Sequence, residues 1–95
     1  MTSSIQASFS AWQSIANGTK TQVTVQNPDN VRIAYIYIGS AAPAVTATPV
    51  DTDGVLELNA NDVETFILGT GETLFIRSAN QMGANKVHRI AYGLG

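Results

Sequence analysis

The sequence predicts an all-β protein, an antiparallel β-sandwich or jelly-roll-like barrel of about seven short strands. Three observations predict it. Val31–Gly39, VRIAYIYIG, is the longest run dense in β-branched and aromatic residues. Thr19–Gln26 alternates, with Thr19, Thr21, Val23 and Val25 on one side and Lys20, Gln22, Thr24 and Gln26 on the other. Turn signals recur every roughly 8–12 residues between such runs.

Residues 1–8, MTSSIQAS, are small and polar without a period. They read as a flexible arm or as an edge strand that orders on a partner. Residues 9–95 then form one β-sandwich domain. Phe9–Ala16 is a candidate strand, followed by Asn17-Gly18. That dipeptide favours a type I′ hairpin turn, which needs positive φ at both central positions. Asn27-Pro28-Asp29-Asn30 reads as a type I turn, because proline presets φ at the first central position.

Taken as hairpins, these turns set a register. Trp12 falls opposite Val23, and Val23 opposite Ala34, so one face collects Trp12, Val23, Val25, Ala34, Ile36 and Ile38 as the core. The other face collects Ile15, Lys20, Gln22, Val31, Ile33, Tyr35 and Tyr37. Val31–Gly39 is apolar at both parities, which predicts a strand covered on both sides. A partner subunit, or the arm or a long loop of the same chain, could cover the tyrosine side. Ile15, Ile33, Tyr35 and Tyr37 are the candidate subunit contacts.

Gly39–Gly54, with Pro43 and Pro49, cannot donate steadily to a ladder and reads as an extended loop or edge strand. Val55–Leu58 resumes strand character, and Asn59–Asp62 is a turn. Glu64–Leu68 and Thr73–Ser78 read as a hairpin around Gly69–Glu72, pairing Phe66 with Phe75 and Glu64 with Arg77. Ala79–Lys86 is a polar loop, and Val87–Tyr92 is the last strand.

Composition narrows the function. Charged residues are 13% of the 95, and five Lys and Arg are scattered singly in a chain of net charge −2. Nucleic-acid binding needs clustered positive charge, so it is not expected. The chain has no cysteine, and therefore no disulfide framework. So small a core favours subunit association for stability. No apolar run approaches the ~20 residues of a membrane span, and MTSSIQASFS lacks a signal-peptide pattern, so no membrane association is expected.

No reaction chemistry assembles. His88 is the single histidine, lies in a strand and reads as a sheet-surface or interface residue. Asp51-Thr52-Asp53-Gly54 starts like a calcium loop but lacks its later ligands. Gly69-Thr70-Gly71 joins two strands instead of opening a helix, so it is not a dinucleotide loop. No cofactor or metal is expected, and the chain reads as a non-enzyme.

Gly18-Thr19, the Gln22–Asn27 stretch, Val31–Gly39, Pro43 and the late ETFILGTGETLFIRS run resemble small β-sandwich virion proteins of tailed bacteriophages, of the capsid decoration or cement type. The resemblance covers about residues 12–92. It implies a homotrimer that binds the major capsid protein on the head exterior and stabilises the lattice, after synthesis in the host cytoplasm. On that reading the arm (Ser3, Ser4, Ile5) and the proline loop (Pro43, Pro49) are the candidate capsid contacts. The alternative is a phage tail or fibre module that binds a host surface glycan.

Overall fold

A computed structural model describes residues 2–18, 21–79 and 88–94. Among them are eight strands and no helix: β1 Thr2–Ala7, β2 Gln13–Gly18, β3 Thr21–Gln26, β4 Ala34–Gly39, β5 Leu56–Leu58, β6 Val63–Leu68, β7 Glu72–Ser78 and β8 His88–Leu94. They form two four-stranded antiparallel sheets, ordered β1-β8-β3-β6 and β2-β7-β4-β5. The all-β sandwich is therefore shown, and the strand order is that of a jelly roll.

Consecutive strands almost always lie in different sheets. Of the connections, only β4 to β5 returns to a sheet neighbour, through residues 40–55. The expected hairpins are thus absent. Strand β2 pairs with β7, whereas β3 pairs with β6 and β8, so Asn17-Gly18 continues a strand and does not reverse it. Phe66 lies beside Val23, Phe75 beside Tyr37, Glu64 beside Val25 and Arg77 beside Tyr35. Neither the Phe66–Phe75 pair nor the Glu64–Arg77 pair exists. The physical reason is that turn-forming residues are a local signal and do not say which sheet receives the next strand.

Parity fared better than register. Val23, Val25, Ala34 and Ile36 are all buried, and Ile38 packs on the same core. They face one another across the sandwich instead of lying side by side. In β2 the parity inverts: Ile15 is 8% exposed and belongs to the core, while Trp12 points outward toward Tyr37. A bulge between Ser14 and Ala16 accompanies the shift. Ile15 is therefore corrected from subunit contact to core residue.

The arm is an edge strand, ordered by its own chain and not by a partner. Thr2–Ala7 forms β1, paired along its length with β8, and Ile5 and Ala7 contribute to the core. Apolar Ile5 and Ala7 at alternate positions give one face enough burial to hold the strand. The radius of gyration of 12.4 Å matches the ~12 Å of a single compact unit of this length, with no detached arm. The expected positions Thr19, Lys20, the 80–86 part of the polar loop and Val87 lie outside the described residues.

One end of the sandwich is tied by polar groups. Asp29 Oδ1 accepts from the Val31 and Arg32 amides at 2.8 Å each, and Oδ2 pairs with Arg32 at 2.8 Å. The Arg32 amide is the main reason the Asp29 carboxyl falls to a pKa of about 2. Asn61, at φ 66°, donates its amide to the carbonyls of Asn27 and Asp29. The predicted turn at 27–30 is thus a corner between sheets, laced to the predicted turn at 59–62.

Candidate functional site

Strand β7 has the sequence ETLFIRS, so Leu74, Ile76 and Ser78 point into the core while Phe75 and Arg77 point out. Strand β4 brings Tyr35 beside Arg77 and Tyr37 beside Phe75 on the same outer face. The tyrosine side is covered by the chain's own segments. The β1–β2 connection supplies Phe9 and Trp12, and residues 40–55 fold across from the far edge.

Two hydrogen bonds hold that covering loop. Trp12 Nε1 donates to the Ala44 carbonyl at 2.8 Å, and Arg77 Nη2 donates to the Ala47 carbonyl at 2.9 Å. Locally, the Ala47 amide donates to the Ala44 carbonyl, and Asp51 Oδ1 accepts from the Thr48 amide and the Thr52 hydroxyl. The Thr48 amide is the first cause of a lowered Asp51 pKa. Trp12 meets Tyr37 edge-on at 6.5 Å. The Asp51–Gly54 segment is therefore a capped turn in the loop, and Gly54 lies against the Tyr37 ring.

Arg77 is the centre of this arrangement. Its side chain sits in a residue only 3% exposed. The guanidinium carbon lies 5.5 Å from the Phe9 ring centre, 5.4 Å from Trp12 and 5.3 Å from Tyr35. Ring faces of this kind stabilise a cation by about 0.5–2 kcal/mol each as water is excluded. Nη1 donates to the carbonyls of Phe9 and Ser78, and Nη2 to that of Ala47. Burial, partly offset by Tyr35, lowers its pKa, yet a guanidinium keeps its proton. Among the described residues no carboxylate pairs with Arg77, and its buried Nε finds no hydrogen-bond acceptor.

A cavity of about 400 Å³ adjoins the cage, with Phe9, Tyr35, Val45, Thr46, Thr48 and Arg77 in its wall. Rings, hydroxyls and one buried cation can bind a small polar molecule with a negative charge.

A second polar cluster lies on the opposite face of β7. His88 is fully buried between Ser78 Oγ, 2.8 Å from Nδ1, and Asn27 Oδ1, 2.9 Å from Nε2. Asn27 Nδ2 is turned to the carbonyls of Arg32, Leu58 and Asn59, which leaves Oδ1 as the acceptor. The histidine is therefore protonated on Nε2, and the serine hydroxyl donates to Nδ1. Serine, histidine and asparagine in a row are the parts of a nucleophile relay, but Ser78, His88 and Asn27 are each 0% exposed, so substrate has no access. The expectation of a surface His88 is corrected: it is a core residue whose two nitrogens are satisfied, and burial lowers its pKa.

The sequence-predicted contacts disperse over the molecule. Tyr35 and Tyr37 share the caged face, half-buried under their own chain, and the half-buried Ile33 accepts the Ala79 amide through its carbonyl. Exposed Ser3 and Ser4 lie on edge strand β1, while Ile5 packs on the core. Pro43 and Pro49 are half-buried in the covering loop. Arg77 and Phe9 were not anticipated. The signal for Arg77 was its outward parity with Phe75, legible only once β7 is placed beside β4. No family model matches the sequence, and no curated protein or solved structure matches it either.

Proposed function

We propose that this protein is a non-enzymatic structural component of a bacteriophage particle, seated on the capsid exterior and stabilising it, as a homotrimer in contact with the major capsid protein. The tyrosine face no longer supports the reading, because residues 40–55 already cover it. The observation that carries it is the outer face of the other sheet. Alternating positions there are Ser4 and Gln6 on β1, Arg89, Ala91 and Gly93 on β8, Gln22, Thr24 and Gln26 on β3, and Val63, Thr65 and Ile67 on β6. Arg89 is the one charge among these positions.

Such a face has a single charge to desolvate, and its amides and hydroxyls can pair with a partner. Ile67 is 74% and Val63 53% exposed, so an apolar stripe stands on an edge strand ready for contact. The Thr24 and Thr65 hydroxyls bond each other at 3.0 Å, which reduces their demand for water. An oligomer that docks several such faces gains effective concentration after its first contact. The test is addition of the purified protein to particles that lack it. Saturable co-sedimentation with raised resistance to heat supports the reading, and particles left bare overturn it. Light scattering on the free protein reads the trimer.

A further inference from the structure

The cavity beside Arg77 is lined by that one buried cation, two aromatic residues and hydroxyl-bearing residues. Three carbonyls take N–H groups from Nη1 and Nη2 of Arg77, while Nε has no acceptor and no carboxylate neutralises the charge among the described residues. A buried guanidinium without a counter-ion is costly, and a ligand carboxylate in the cavity that Arg77 lines would supply one. The volume of about 400 Å³ falls within the roughly 300–1,000 Å³ of small-ligand sites. Phe9, Tyr35, Thr46 and Thr48 line it together with Val45, which is 50% exposed.

We propose that this cavity binds an acidic sugar, a uronic or sialic acid residue, with its carboxylate at Arg77 and its ring against Phe9 and Tyr35. A single guanidinium balances the one negative charge of a carboxylate, whereas a phosphate monoester carries nearly two. The hydroxyls of Thr46 and Thr48 suit the hydroxyls of a sugar, and a ring with apolar C–H faces suits the aromatic wall. The inference concerns the isolated chain and does not depend on capsid attachment.

The test follows the Arg77 Nε–H resonance by NMR during titration with glucuronate, N-acetylneuraminate, glucose, acetate and a short acidic peptide. The expected result is a saturable shift of that resonance with at least one acidic sugar, at least about tenfold tighter than with glucose or acetate. V45E puts a negative charge at this exposed lining residue and weakens that sugar by about tenfold without lowering the melting temperature. R77K retains the charge but not the planar fork, and where it folds it weakens binding similarly. Three results each overturn the proposal: equal affinity for glucose, tighter binding of the peptide, or an unmoved Nε–H. The last would make Arg77 a pin for the covering loop and nothing more.

Discussion

Asn27 and His88 meet inside the sandwich, Oδ1 to Nε2 at 2.9 Å, and join the corner after β3 to the start of β8. One asparagine side chain thereby ties three carbonyls and a histidine, all at the same end of the molecule. Losing it strands several buried polar groups at once. N27A is expected to cost about 2–4 kcal/mol, measured by urea unfolding. A cost under about 1 kcal/mol would mean that water or a rearranged corner replaces those bonds.

His88 makes stability depend on pH. Burial lowers its pKa in the folded protein, while Asp29 raises it and Arg32 lowers it from the corner nearby. The unfolded chain takes up the proton near pH 6.5 and the folded one resists it, so stability is full above that pH and declines below it. The slope approaches at most about 1.4 kcal/mol per pH unit, the limit for one proton. Denaturant titrations from pH 8 to 5 should show the decline, and H88Q should flatten it.

Asp29 acts in a lower window. Its folded pKa of about 2 lies below the ordinary 3.8, so its contribution is present above about pH 4 and is lost as pH falls through 2. D29N should lower stability at pH 7 by about 1 kcal/mol, since the site is near the surface and partly screened. The difference from the parent protein should shrink as pH falls toward 2 and vanish only below it.

Gly54 and Gly71 separate strain from crowding. Both have positive φ, 89° and 82°, but a Cβ on Gly54 would lie 3.3 Å from Tyr37 Cε1, whereas one on Gly71 meets nothing within 4 Å. G54A and G71A should each lose about 1 kcal/mol from backbone strain. Only G54A should also change the fluorescence of Trp12, the single tryptophan, because it displaces the ring that Trp12 abuts.

Ile67 reports on the outer sheet face. I67K replaces a side chain that is 74% exposed and should leave unfolding within about 0.5 kcal/mol of the parent. Binding to particles should fall sharply in co-sedimentation. Undiminished binding would move the contact to another surface.

The sequence made the strands legible through alternation, and Val23, Val25, Ala34 and Ile36 faced the core as that alternation required. Pairing was not legible. Pro28 marks a corner and Asn17-Gly18 runs on in β2, whereas the choice of sheet depends on distant contacts such as Val23 with Phe66. The caged site was hidden for the same reason. Arg77 looks like any late-strand cation until Tyr35 and Phe9 are brought over it, and those lie far away in the chain.

Strand β1 has one ladder neighbour, β8, so Ile5 reaches Ile90 only after almost the whole polypeptide is at hand. The molecule cannot zip up from one terminus; closure is a single late, long-range event, of the kind that puts folding in the millisecond-to-second range. Until then the margins of β3 and β1 both stand open to other copies. Crowded synthesis is the hazard this wrapping order creates.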